Sequence, residues 1–217
     1  MKSDSEIERD VRDELKWDPD LKSDDIAVSV KGGVVTLAGF TRSYTDRLAA
    51  EAAAKRVAGV HAVANDIEVR LPAVDQRPDP DIARDAVAAL KSELPISHDK
   101  IKVIVKNGWI TLEGQAEWQY QKTTAETAVR KVKGVKGVTN VIHLKPVVQP
   151  TDIQRKIQQA FKRSAEVDAN HITVETKGSE VILKGAVRSW SEREEAERVA
   201  WSAPGVTHVE DRIVVNP

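Results

Sequence analysis

The sequence predicts an α+β protein of three tandem α-β-β-α-β units, each a three-stranded mixed sheet covered on one face by two helices. Three observations carry this prediction. The stretch IAVSVKGGVVTLAGF from Ile26 returns as IKVIVKNGWITLEGQ from Ile101 and as ITVETKGSEVILKGA from Ile172. Each copy alternates apolar and polar side chains on both sides of a two-residue turn, the period of a half-buried strand. The turn pairs Gly32-Gly33, Asn107-Gly108 and Gly178-Ser179 tolerate the positive φ angles of tight hairpins. Aligned on these hairpins the copies run without a gap, and the expected units are 1–72, 78–147 and 150–217. Each is near the lower size at which a lone core is comfortable.

Every unit opens with an amphipathic segment. Ile7, Val11 and Leu15 recur as Ile82, Ala86 and Leu90 and as Ile153, Ile157 and Phe161. Spacings of four keep each set on one helical face. Ser5, Asp79 or Asp81, and Thr151 are candidate caps, and Pro80 suits a first helical turn. The hairpin follows and ends on a glycine: Gly39, Gly114 and Gly185. A second helix comes next, capped by Ser43 in the first unit and by Ser189 or Ser191 in the third, where Ser189 and Glu192 have capping-box spacing. Its inward face is small: Ala50, Ala53, Ala54 and Val57, matched by Ala125, Ala128, Val129 and Val132 and by Ala196, Val199, Ala200 and Ala203. Such side chains let a helix lie close on a sheet.

Gly59, Gly134 and Gly205 sit where a left-handed residue terminates that helix. A last strand carries Ile67, Val69 and Leu71, Ile142 and Leu144, and Ile213 and Val215. The helical crossover makes this strand parallel to the one before it, while the hairpin is antiparallel. Constant loop lengths leave no unit with an inserted active-site loop. The linkers PAVDQRPDPD and PVVQPTD are proline-rich, semi-rigid spacers.

With no cysteine, neither a disulfide framework nor a thiolate metal site is available. The first residues, MKSDSEIERDVRDE, lack the apolar core of a secretory signal, and no run reaches the ~18 apolar residues of a membrane span. A cytoplasmic location is the expectation, at most peripheral to a membrane. The net charge of −1 hides an asymmetry. Lys plus Arg against Asp plus Glu gives −3 for residues 1–74 (11 against 14), +3 for 75–148 (12 against 9) and −1 for 149–217 (10 against 11). The middle unit is the basic one, and the place to seek an anionic partner.

These residues resemble the BON (bacterial OsmY and nodulation) domain family. The pattern is the hairpin closing on V-T-L-x-G (Val35 to Gly39, Ile110 to Gly114, Val181 to Gly185), the alanine-rich helix, and then G-V-x-x-V. The last element reads Gly59, Val60, Val63; Gly134, Val135, Val138; Gly205, Val206, Val209, with Asn65, Asn140 or Asp211 before the final strand. The resemblance, to a triple-BON, OsmY-like arrangement, implies the α-β-β-α-β fold, no enzymatic activity, and a role at phospholipid surfaces or in osmotic and envelope stress. By analogy with a potassium-binding cytoplasmic member of the wider family, a sensor of potassium or another small ligand is the alternative. A protein-interaction scaffold is the second, because a three-stranded sheet leaves edges that can pair with another chain.

Tyr44, Trp118, Tyr120 and Trp190 follow the hairpin glycines closely, beside Arg42, Arg47, Lys122, Arg188 and Arg193. As lipid- or partner-binding residues they form a set of interfacial aromatics with cations for phosphate. As structural residues they staple the second helix to the sheet. Arg130, Lys131, Lys133 and Lys136 close the second helix of the middle unit. They serve either an anionic surface or the helix dipole, which favours cations at that end. Lys100, Lys102 and Lys106 extend such a surface if they face the same way. Gly134-Val135-Lys136-Gly137 spells GxxG, but between a helix and a strand, so nucleic-acid binding is not expected. His61, His98, His143, His171 and His208 occupy non-equivalent positions, and no metal site is expected. No nucleophile elbow, phosphate loop or cofactor motif is present, so catalysis is not expected either.

Overall fold

The structure, a computed structural model, describes residues 2–19, 21–145, 152–164 and 171–216. The first repeat runs α1 (Asp4–Trp17), β1 (Ile26–Lys31), β2 (Val34–Thr41), α2 (Tyr44–Arg56) and β3 (Ala62–Val69). The second runs α3 (Asp79–Glu93), β4 (Ile101–Lys106), β5 (Trp109–Ala116), α4 (Gln119–Arg130), β6 (Gly137–Asn140) and β7 (His143–Leu144). The third runs α5 (Ile153–Arg163), β8 (Ile172–Lys177), β9 (Glu180–Val187), α6 (Trp190–Trp201) and β10 (His208–Val215). In every sheet the hairpin's second strand is central: β1-β2-β3, β4-β5-β6 and β8-β9-β10. The hairpin pairs are antiparallel and the crossover pairs parallel, as the connection lengths require.

The apolar periodicity becomes the core. In the first repeat Ile7, Val11 and Leu15 of α1 meet Val35, Leu37 and Ile67 of the sheet and Ala50, Ala53 and Ala54 of α2. In the third, Ile153, Ile157 and Phe161 meet Val181, Leu183, Ile213, Ala196 and Ala200. Backbone contacts gather the described chain into two compact bodies. One holds residues 2–116 and 120–143, hence nearly all of the first two repeats; the other holds 144–217 with 117–119.

Several local expectations are corrected. Ser3, not Ser5, caps α1, in a capping box with Glu6. No side chain caps α3, whose Asp79 has another task described below; Pro80 does lie in its first turn. Thr151 lies outside the described residues. Ser43 and Ser189 cap α2 and α6 as expected. The strands do not end on Gly39, Gly114 and Gly185. What ends there is the antiparallel pairing, Ile26 opposite Gly39, while β2 continues beside β3 to Thr41. A Cβ at Gly39 would lie 2.0 Å from the Asp25 carbonyl oxygen, and equivalent atoms at Gly114 and Gly185 would meet Lys100 and His171 as closely. The backbone therefore crosses directly over each glycine.

Gly59, Gly134 and Gly205 do not terminate helices, since α2, α4 and α6 end earlier, at Arg56, Arg130 and Trp201. In the first two repeats the glycine makes room for the opening helix. A Cβ at Gly59 would sit 3.0 Å from Ile7 Cδ1, and one at Gly134 2.8 Å from Ile82 Cδ1. The last strand of the second repeat breaks after Asn140 and resumes at His143, leaving Ile142 buried between its two pieces.

Candidate functional site

Within each repeat one polar side chain ties the second helix to the last strand. Asn65 donates to the Arg47 carbonyl (3.3 Å) and to Glu51 (3.0 Å), and accepts the Ile67 N–H (3.2 Å). Asn140 repeats this with Lys122, Glu126 and Ile142. In the third repeat Asp211 accepts from Ile213 N–H and pairs with Arg193 at 2.6 Å. The family-like Asn or Asp is thus a brace. It also fixes the direction of the edge strand: Arg47 donates to the Asn65 carbonyl from the side away from β2 (3.1 Å).

That edge of β3 faces the second repeat across an open trench of about 610 Å³. One wall is Ile67–Val69 with Arg47; the other is the outer face of the β4–β5 hairpin, with Ile104, Lys106 and Trp109. Alternation puts Lys102, Ile104 and Lys106 on one face of β4. A second hollow of about 250 Å³ shares Asn107 and Lys136 with the trench and reaches Leu71 and Arg77. The Trp109 ring is fixed within the hairpin wall. Its indole N–H donates to Thr139 Oγ1 (2.8 Å), and a Cβ at Gly137 would come within 2.4 Å of its ring. The second glycine of the GxxG stretch is therefore a seat for an indole.

The trench is electrostatically one-sided. Arg77, Lys106 and Lys136 have no ion-pair partner among the described residues, whereas its acids are occupied. Glu68 pairs with Arg70 at 2.6 Å. Asp79 accepts both turn amides of the β4–β5 hairpin, Asn107 N–H at 2.8 Å and Gly108 N–H at 2.9 Å. Asp4 clasps the β1–β2 turn in the same way, through Gly32 and Gly33. Those two backbone bonds hold its carboxyl below the ordinary carboxylate value.

The residues singled out from sequence are dispersed. Tyr44 is buried, with a backbone hydrogen bond to Val138 on the free edge of β6; burial pushes its phenol pKa up against that bond. Trp190 is half-buried against the third core, with the Arg193 guanidinium 4.9 Å from its ring centre, and Arg193 is committed to Asp211. Trp118 and Lys122 are half-buried, while Tyr120 is 62% exposed. The basic run divides. Lys133 pairs with Asp75 at 3.0 Å, Lys131 lines a groove between α3 and α4, Arg130 is half-buried, and Lys136 enters the trench. Sequence reasoning missed Arg77 and the two aspartate clasps. A signal for the clasps existed, because Asp4 and Asp79 hold the same repeat position ahead of their turns. Among the described residues no three His, Asp or Glu side chains converge as a metal site.

The chain is 31% identical over 150 residues to osmotically-inducible protein Y of Escherichia coli (strain K12), covering 65% of this chain and 73% of that protein. It also aligns with solved structures of CdsD, a structural protein of the type III secretion system of Chlamydia trachomatis. Identity is 12% and the TM-score 0.27, covering 96% of this chain and 91% of that one, a likeness that carries no argument. Residues 3–70, 78–146 and 150–217 each match the BON domain, and the chain belongs to that family.

Proposed function

We propose that this is a non-enzymatic binding protein of osmotic or envelope stress whose second repeat meets an anionic phospholipid surface. The similarity to osmotically-inducible protein Y supports the physiological setting. The molecular reading rests on one observation: the repeat with the net charge of +3 (12 cations against 9 acids) exposes Val87, Ile96 and Tyr120 as well as Lys91 and Lys131. Tyr120, Thr124 and Thr127 follow one face of α4, and Lys131 comes directly after its last residue. Rings that sit at headgroup depth and cations that meet lipid phosphate make such a face suited to peripheral attachment. No described helix is long and apolar enough to cross a membrane. The cytoplasmic side is part of this proposal, and cell fractionation checks it.

Co-sedimentation with vesicles of phosphatidylglycerol and phosphatidylcholine tests the reading. Binding to the acidic vesicles alone, weakening with salt and lost in Tyr120→Ala/Lys131→Glu, supports it. Equal binding to both vesicles, or none, refutes it. A rise in melting temperature with potassium and not sodium, without vesicle binding, favours the ion-sensor alternative.

A further inference from the structure

We propose that the trench between the first two repeats binds an extended acidic peptide by adding it as a strand to the free edge of β3. The edge is open where the trench passes it. Arg70 N–H donates to the Thr41 carbonyl (2.8 Å), so Arg70, Glu68 and Asp66 direct their backbone groups toward β2. Parallel pairing alternates, so Val69, Ile67 and Asn65 direct theirs outward. Two of those outward groups are already bonded: the Asn65 carbonyl by Arg47 and the Ile67 N–H by Asn65 itself. The Ile67 carbonyl and the Val69 N–H remain, one acceptor and one donor with no partner among the described residues. Both belong to residues lining the trench.

The corresponding edge in the second repeat is differently placed. There the outward N–H of Val138 meets the Tyr44 side chain of the first repeat. One edge of this body is thus covered from within the chain, and the other faces the open trench.

The opposite wall fits the side chains of an added strand. It offers them apolar surface at Ile104 and the indole of Trp109, and positive charge at Lys106 and Lys136. Arg77 extends the positive charge beyond Leu71, where the edge closes because the Leu71 carbonyl accepts from Gln76 (3.3 Å). Three cations without an ion-pair partner among the described residues, against a Glu68 already paired with Arg70, favour carboxylates over lysines on the incoming chain. From Ile67 to Leu71 a strand advances about 13 Å, so roughly four to six peptide residues fill the trench. This site is independent of the lipid-facing helices, and lipid contact can fail without affecting it.

The test uses the full chain and a blocked hexapeptide of alternating valine and aspartate. Saturable binding by calorimetry is expected, with slowed amide exchange at Val69. Lys106→Glu/Lys136→Glu is expected to weaken binding at least about ten-fold while leaving the melting temperature within about 2 °C. The same peptide with alternate backbone nitrogens methylated, and a valine–lysine peptide, are expected not to bind. Absence of binding by the valine–aspartate peptide overturns the proposal. So does equal binding by the methylated peptide or by the doubly charge-reversed protein. Loss of phosphatidylglycerol vesicle binding in Lys106→Glu/Lys136→Glu, with no peptide bound, assigns the trench to lipid and overturns it too.

Discussion

Replacing Gly39 with alanine, set beside the same replacement at Gly32, separates two reasons for a glycine. At Gly32 φ is +59° and an added Cβ meets nothing within 4 Å. The cost there is the left-handed backbone alone, about 1–2 kcal/mol. At Gly39 φ is +121° and the new Cβ would lie 2.0 Å from the Asp25 carbonyl oxygen. An ordinary carbon–oxygen contact is roughly 3.2–3.5 Å, so the chain entering β1 must retreat by more than about 1 Å. That movement breaks the Phe40 N–H bond to Asp25 (3.2 Å) and frays the Ile26–Gly39 end of the hairpin. Backbone strain of about 1–3 kcal/mol, plus about 1 kcal/mol for the lost hydrogen bond and a similar cost in packing at Ile26, totals roughly 3–5 kcal/mol. Hydrogen exchange at the buried amides of Val35 and Leu37 reads the first repeat within the intact chain. Gly39→Ala is expected to accelerate exchange by more than about a hundred-fold, and Gly32→Ala by about ten-fold. Equal acceleration by the two would refute the crossing-backbone explanation.

Further measurements probe the other contacts. Asp4→Ala should destabilise the first repeat at neutral pH. Because the folded carboxyl titrates below its ordinary 3.8, the difference from the parent persists above that value and disappears as pH falls through the lower folded pKa, which a urea titration against pH will show. Asp211→Ala leaves the half-buried Arg193 guanidinium without its 2.6 Å partner and Ile213 N–H without its acceptor; a loss of about 2–3 kcal/mol is expected by denaturant melts of the third repeat. Gly137→Ala should evict the Trp109 ring, raising iodide quenching of its fluorescence in a variant whose other tryptophans are phenylalanine. Unchanged quenching would deny the seat.

The fold was legible because its signals are periodic. The four-residue spacing of Ile7, Val11 and Leu15 and the alternation through Val35 and Leu37 name the buried face directly, and all five are buried. Strand order followed only from coordinates, since alternation says which face is inward but not which neighbour is alongside. The candidate site was less legible, because side-chain type does not encode partnership. Tyr44 and Arg193 look alike in sequence as exposed contact residues, yet one is buried against β6 and the other is held by Asp211. The run from Arg130 to Lys136 reads as a patch, but the chain turns at Gly134 and sends Lys133 to Asp75 and Lys136 into the trench. The trench itself arises from two repeats packing together, a relation no single repeat's pattern contains.

The aspartate clasps bear on how pulling force would travel through the chain. In the first two repeats the opening helix is fastened by its first residue to a hairpin tip 28 positions downstream, at Gly32 and Asn107. Tension on the amino-terminal end is then carried sideways into the sheet, where ladder bonds share it, instead of peeling the helix off turn by turn. Pro150 occupies that position in the third copy and brings no carboxylate. There α5 is tied farther along, by Gln154 donating to the Val174 carbonyl at 2.7 Å, so tension enters the third sheet from within the helix and not at its first residue.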